Sequence, residues 1–572
     1  MRVKIKQNNS FNERVFVMKK IIACILMLAT LLLTACATSV TPTATPEPTA
    51  KPGLAVSELS NYTIVYPSDY TEYRMNEIYL LQRVIKTLSG KEPSLASDRE
   101  DAVSKEIIIG SSERGNNYSA DISTFESGLD YIIAVDNDKI ILGGNNFYAD
   151  MRAIYDFINN YLGYDDIENK YEEPSKAIYG VEKNIYKQPA LRILGSNFSV
   201  SAYTEQYAVR DMHDAHFNMT LIDAGLYTEE QLRDYVKWCA RYEIFVMMRT
   251  VLYTDVYIDC PVIWGHSVDE PKLEEFESVS QWCKEYNEKY SQYGWRPDVN
   301  FYGIFSPDDE ESLKNYSDAY DKYFNGLFDF SYDYYIGNMS DRGKLVLGTL
   351  EYSSNKAAQH GQEFWYYIES YNIKNAKKPA TKMFRTGSYM ALSFGADCIR
   401  YFQYGDASPN YSAEGNWSYG SLVNWDYSKN EYYGTAQSVN KELLDISEIL
   451  NQYNYAGACT LADKGDIFTQ LKNPHDFSNV ISDFENTIYD DTYLVGCFEK
   501  KDGNGYAFTL VNVEPLDDVE YDKTIGFLTK IKINGETVTF YKDGVPVDVT
   551  KDSDGYYNIL TGNGYCWLVT VE

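Results

Sequence analysis

Positive charge is scarce in this chain. Of its 572 residues, 52 are Lys or Arg against 83 Asp or Glu, a formal net charge of −31 with a pI near 4.6. A surface so acidic repels phosphate backbones, so nucleic acid is excluded as an expected partner. Histidine is scarcer still: five residues, at 213, 216, 266, 360 and 475, with no H-E-x-x-H. The chain also lacks C-x-x-C, G-x-x-x-x-G-K-[ST] and G-x-S-x-G, which leaves zinc ribbons, phosphate-cradling loops and nucleophile elbows without support. Nine cysteines occur, at 24, 36, 239, 260, 283, 398, 459, 497 and 566. The seven beyond position 36 lie in apolar or strand-like surroundings, and an odd number without metal spacing reads as buried free thiols. His213 and His216, with Asp211 and Asp214, read as a solvated helix face rather than half a metal site. Asp552-Ser553-Asp554-Gly555 lacks the remaining ligands and closing Glu of a calcium loop and reads as a hairpin turn. No cofactor and no metal is expected. The apolar run 21–33 is shorter than the roughly 20 residues that a spanning helix needs, and no other run is long and apolar enough.

Apolar residues nevertheless make up 44% of the chain, enough for a core of ordinary size. Tyrosine is abundant, 53 residues, and aromatics reach 15%. Tyr and Trp offer a flat apolar face with a polar tip, which suits sugar rings as well as cores. The N-terminus sets the expected compartment. Met18-Lys19-Lys20 is a basic start, 21–33 an apolar stretch, and Leu33-Thr34-Ala35-Cys36 a lipobox. This resembles a bacterial lipoprotein signal peptide. The resemblance implies removal of residues 1–35, lipid on the Cys36 thiol, and a protein anchored to the extracellular face of a bacterial membrane. Translation from Met18 instead of Met1 gives a signal of conventional length. Residues 36–53 then form a Thr/Pro tether in which no core can form.

Residues 54–186 read as a small α/β domain. Its expected strands are 62–66 and 106–110, with a hairpin of 131–135 and 139–142 about Asn137-Asp138. Met75, Ile78, Leu81, Ile85 and Leu88 recur at helical spacing before Gly90; Met151, Ile154, Tyr155, Ile158 and Leu162 do so before Gly163. The run EIIIG, YIIAV, KIILGG, MRAIYDFINNYLG resembles the domain that precedes the barrel in bacterial β-hexosaminidases and α-glucuronidases, where it is an accessory. Residues 187–452 alternate short apolar runs with amphipathic segments. The runs are 191–195, 219–223, 244–249, 262–267, 299–305, 328–332, 364–368 and 398–404. Eight such units predict a (β/α)8 TIM barrel. Residues 453–572 carry strand-like runs at 493–498, 506–513 and 538–541, punctuated by Asp-Gly and Gly-Asn-Gly turns; they predict a C-terminal β-sandwich.

In such a barrel, chemistry sits at the C-terminal ends of the strands. Strand four is expected to end in Trp264-Gly265-His266-Ser267-Val268-Asp269-Glu270-Pro271, and strand seven in Ile368-Glu369-Ser370. A glutamate at each of these places is similar to the clan A glycoside hydrolases, and the stretch from Met383-Phe384-Arg385 through Tyr404 resembles the end of the barrel in their β-galactosidase-like members. The resemblance implies Glu270 as acid/base and Glu369 as nucleophile of a retaining glycoside hydrolase acting on an oligosaccharide or polysaccharide. The residue types suit these roles, because one carboxyl must keep a proton for the leaving oxygen while the other is ionised. The family's usual Asn-Glu-Pro is here Asp269-Glu270-Pro271. An ionised Asp269 accepts but cannot donate, and this departure favours the rival reading, a non-catalytic glycan-binding surface lipoprotein on a degenerate barrel. Asp333, in Phe330-Ser331-Tyr332-Asp333, is expected to orient the acid or a sugar hydroxyl. Trp264, Tyr404 and Trp417 are candidate sugar platforms, and Arg385 is a candidate ligand-binding cation.

Overall fold

The computed structural model describes Gly53 to Glu572, except residues 113, 115–116, 137, 198–204, 303–309, 334–338, 371–380, 406–420, 425, 463–470, 487–491, 514–526 and 563. The signal, the lipobox with Cys36, and the tether up to residue 52 lie outside the described residues, as do Trp417 and Trp425. No helix among the described residues is long and apolar enough to cross a membrane.

The first layer is a six-stranded sheet in the order Ser94–Ser97, Thr63–Tyr66, Glu106–Ile109, Lys139–Gly144, Tyr131–Asp136, Gly180–Asn184. The first four strands run parallel, and Tyr131–Asp136 pairs antiparallel with both of its neighbours, Lys139–Gly144 and Gly180–Asn184. Helix Glu72–Ser89 starts where the Thr71 side chain accepts the Arg74 N–H and stops at Gly90, whose φ of 78° only glycine adopts without strain. Its Met75, Ile78, Leu81 and Ile85 are buried, as their spacing predicts. Helix Phe147–Asp156 continues through a wider turn, Phe157–Tyr161. This layer docks on the barrel through a buried Lys237–Glu77 pair at 3.1 Å and an Arg241–Asp166 pair at 2.8 Å.

Eight parallel strands then close a barrel. They are Arg192–Asn197, Met219–Ile222, Phe245–Met248, Ile263–Asp269, Arg296–Tyr302, Asp329–Asp333, Phe364–Glu369 and Cys398–Phe402, here strands one to eight. Each overlaps one of the eight expected runs; strand five begins earlier than expected, at Arg296, because Pro297 sits within a strand that still pairs in register with strand four. Inward positions fill the barrel in layers. Leu194, Met219, Leu221, Met247, Trp365 and Cys398 form an apolar floor. Above it the buried Arg400 guanidinium donates to both Asp298 oxygens at 2.7 and 3.0 Å, and Ser267 Oγ donates to the same carboxylate at 2.6 Å. Trp365 and Tyr367 stack on that guanidinium, 4.3 and 5.2 Å from it. Outward strand residues such as Phe301 and Phe330 pack against the helices, Phe330 against Tyr320 of helix Glu310–Tyr323.

The C-terminal part is two antiparallel sheets. One is ordered Tyr453–Ala462, Thr492–Lys500, Tyr506–Asn512, Cys566–Val571, Val538–Lys542, Val545–Val547; the other Ile481–Asn486, Phe527–Ile533, Tyr557–Thr561. Phe477, Val495, Phe508, Ile531, Ile559 and Val569 are among the residues of the core between them. The sandwich seats on barrel helix Thr381–Ser393 at Gly496, where a Cβ would lie 2.4 Å from the Ser393 Cα. Backbone packs directly on backbone there.

Candidate active site

The strand ends gather the acids at one mouth. Ser267 and Asp269 face inward on strand four, since both bond to inward residues of strand five: Ser267 to Asp298, and Asp269 Oδ1 to Asn300 Nδ2 at 3.1 Å. Strand four ends at Asp269, and Glu270 follows in the left-handed region with φ +47°. That conformation costs a residue with a Cβ on the order of 1–2 kcal/mol, and the Glu270 N–H bonded to the Asn300 carbonyl at 2.8 Å helps to hold it. On strand six, Ser331 and Asp333 face inward: Ser331 Oγ donates to Asn300 Oδ1 at 2.9 Å, and Asp333 is buried beside Glu270 and Asp269, its Oδ1 without a hydrogen-bond partner among the described residues. Arg249, one residue past strand three, lies 3.4 Å from Asp269 Oδ2. On strand seven the alternation that puts Trp365 and Tyr367 inside also puts Glu369 inside, two residues beyond the Tyr367 that pairs in register with Asp333.

The electrostatics follow from this crowding. Burial, then the repulsion of Glu270 and Asp269, pushes the Asp333 carboxyl well above the ordinary range. Burial first and the Asp269 charge second also push Glu270 up, against the pull of Arg249. The buried Asp333 therefore holds its proton against the charges of Glu270 and Asp269, and the neighbouring carboxyls titrate together.

Three expected ligand-binding residues lie elsewhere, and these expectations are corrected. Trp264 is at the opposite, N-terminal end of strand four, with the Arg192 and Arg296 guanidinium groups 4.4 and 5.2 Å from its ring centroid and the Trp365 ring 5.7 Å away. It plugs the floor because it is the second residue of its strand, and the mouth begins five residues later. Tyr404 is buried behind the barrel wall, edge-on to Phe217 at 5.2 Å, and is drawn there by its N–H bond to the Ser196 carbonyl. Arg385, on helix Thr381–Ser393, pairs with Glu442 at 2.8 Å and Asp543 at 3.3 Å, so it ties the barrel to the sandwich. Conversely, Asn300 and Arg249 do not stand out in the sequence as chemistry. The signal that finds them is parity: Asn300 stands two residues beyond the inward Asp298, and Arg249 two beyond the inward Met247.

Among the described residues no group of three His, Cys, Asp or Glu could hold a metal ion. His213 contacts Asp214 at 3.6 Å on an exposed helix end. The described cysteines from Cys239 to Cys566 carry no disulfide, and Cys459 alone among them is not fully buried.

Fold and site together define a (β/α)8-barrel protein whose mouth carries a cluster of carboxyls, Asp269, Glu270 and Asp333. No known family profile matches the chain, and no curated protein matches it. Among solved structures the barrel is similar to a glucosidase from Croceicoccus marinus, at 10% identity over 64% of this chain and 91% of that one, with a TM-score of 0.33. It is also similar to a family GH115 4-O-methyl-α-glucuronidase with specificity for decorated arabinogalactans, at 10% identity over 68% of this chain and 62% of that one, TM-score 0.32. A third is xylanase 10B from Thermotoga maritima, at 9% identity over 45% and 97%, TM-score 0.31. The chain thus spans less than two thirds of the glucuronidase. Likenesses at these identities and scores carry nothing about activity.

Proposed function

We propose that the protein is a glycoside hydrolase. The observation that carries this reading is the Glu270–Asp333 pair, which keeps a proton at a barrel mouth where Glu369 also faces inward. In the first step the proton held at Asp333 passes through Glu270 to the glycosidic oxygen as the C–O bond breaks, which leaves Glu270 ionised. Glu369 attacks the anomeric carbon and forms a glycosyl ester. Glu270, now a base, removes a proton from water, whose oxygen displaces Glu369. Proton and sugar are thereby conserved over the cycle. Carboxyls about 5–5.5 Å apart favour this retaining course, and about 6.5–9.5 Å an inverting one in which Glu369 activates water instead. Asp269, held by Asn300 and Arg249, serves as an acceptor for a sugar hydroxyl. The substrate is an oligosaccharide or polysaccharide, and the protein meets it at the outer face of a bacterial membrane, tethered through lipid on Cys36.

The test is turnover of aryl glycosides and natural oligosaccharides by the 54–572 fragment, beside Glu270→Gln and Glu369→Gln. Loss of about 10²–10⁴-fold in each variant is expected for groups in these roles. Equal turnover by parent and variants would refute the assignment. Absence of turnover together with glycan binding would favour the non-catalytic lipoprotein, the reading to which the Asp269 departure points. Release of a Cys36→Ala protein from membranes would test the anchor.

A further inference from the structure

Two thiols meet at an edge of the C-terminal sandwich. Strand Tyr453–Ala462 is the edge strand of the larger sheet and pairs antiparallel with Thr492–Lys500. In that ladder Cys459 stands opposite Val495 and Cys497 opposite Gly457, so the two cysteines are diagonal neighbours on the face that lines the sandwich core. Gly457 has no side chain to stand between them, and the sulfurs lie 3.9 Å apart. Their accessibility differs: Cys497 is fully buried, whereas Cys459 is partly exposed. Cys239, Cys260, Cys283, Cys398 and Cys566 are all buried.

We propose that Cys459 and Cys497 form a covalent modification site, in which a low-molecular-weight disulfide of the glutathione type oxidises the two thiols to an internal disulfide. The Cys459 thiolate attacks one sulfur of the oxidant, RSSR, and expels RS⁻, which leaves a mixed disulfide on Cys459. Cys497 then gives up its proton, and its sulfur attacks the Cys459 sulfur and expels the second RS⁻. Both thiol protons end on the two released RSH, so two thiols are oxidised and one disulfide is reduced. The order follows from burial: the oxidant reaches the partly exposed Cys459, and Cys497 is reached through it. The contact with Cys497 also lowers the Cys459 pKa, which favours the attacking thiolate. A disulfide holds its sulfurs about 2 Å apart, so the pair closes by about 2 Å, through side-chain rotation at the edge of the sheet. The bond ties the strand that follows the last barrel helix, Tyr433–Leu450, to its neighbour and resists opening of that edge. The outer membrane face proposed above is an environment in which such a bond persists, but the chemistry depends on neither the anchor nor the hydrolase reading.

The experiment treats the folded, reduced protein with oxidised glutathione, quenches with acid, alkylates the remaining thiols after unfolding and maps the peptides by mass. The expected product is a pair of peptides joined through Cys459 and Cys497, two hydrogens lighter than their sum. Alkylation is lost at both positions together, is kept at Cys239, Cys260, Cys283, Cys398 and Cys566, and returns at both after dithiothreitol. Cys497→Ser should stop at a stable glutathione adduct on Cys459, and Cys459→Ser should leave Cys497 reduced. Amide hydrogen exchange along 453–462 should slow by about tenfold or more in the linked protein. A lasting glutathione adduct on Cys459 of the parent with Cys497 still free, or no reaction at either thiol, would overturn the proposal. Unchanged exchange in the linked protein would overturn the tying of the edge. If either variant fails to fold, the parent's linked peptides decide alone.

Discussion

Replacing Asp333 by Asn separates what the site needs from what the fold tolerates. Asp333 is buried, and the repulsion of Glu270 and Asp269 adds to burial in holding its proton. The sign is that of a carboxyl whose folded-state pKa is raised. Below the ordinary carboxylate range both folded and unfolded states are protonated, and nothing is lost. As pH rises through that range the unfolded chain ionises freely while the folded one resists, so stability falls until the raised pKa is passed. At about 4 Å and an effective dielectric near 20, two unit charges repel by about 4 kcal/mol. The retained proton relieves most of this in the parent, and Asn, which cannot ionise, relieves all of it. We therefore expect Asp333→Asn to be about 1–2 kcal/mol more stable than the parent near pH 8 and indistinguishable near pH 4. Urea unfolding of both proteins across that interval measures the difference. The same substitution should lower turnover by about 10²-fold or more, since Glu270 loses its proton-sharing partner. Equal stability at every pH, or a variant that weakens as pH rises, would refute the account of the pair.

Three other perturbations probe the scaffold. Asp298→Asn strands the buried Arg400 guanidinium inside the barrel; a loss of about 3–5 kcal/mol is expected in denaturant unfolding, and a change under about 0.5 kcal/mol would contradict the pairing. Gly496→Ala forces a Cβ onto the Ser393 backbone and should destabilise by about 1–3 kcal/mol, whereas Gly434→Ala, in helix Tyr433–Leu450 with open space around it and no positive φ, should cost less. Among the described thiols, Cys459 is the one not fully buried; it lies 3.9 Å from Cys497, and the hydrogen bond between them lowers its pKa. Alkylation of the native protein should mark Cys459 before the others, as read by peptide mass mapping.

The barrel is legible in the sequence because period carries it. Strands buried on both faces read as short apolar runs, such as the one that forms Phe364–Glu369, and helices between them keep their stripes, as Phe276, Cys283 and Tyr286 do on helix Phe276–Tyr290. Ends are less legible. Strand five contains Arg296, Pro297 and Asp298, polar or ring-locked residues that an apolar-run reading discards. Asp298 belongs inside only because Arg400, more than a hundred positions away, supplies its counter-charge, a pairing that no local window contains.

The same logic separates the candidate residues that lie at the barrel mouth from those that lie elsewhere. Glu270, Asp333 and Glu369 are found through their positions at strand ends, and a strand end is a local property. Trp264, Tyr404 and Arg385 are chosen for what their side chains can do, and side-chain chemistry does not say which end of a strand or which face of a helix presents it. Trp264 stacks on Arg192 and Arg296 as readily as on a sugar, and Arg385 pairs with Glu442 as readily as with a ligand carboxylate. Asn300 shows the converse. An amide in a strand invites no attention as chemistry, yet its side-chain bonds to Asp269 and Ser331 and its carbonyl's bond to the Glu270 N–H place it among the acids of the mouth. In a barrel, inward parity counted from the floor is therefore a better guide to the mouth than residue type: from Trp365 it leads through Tyr367 to Glu369, and from Asp298 to Asn300.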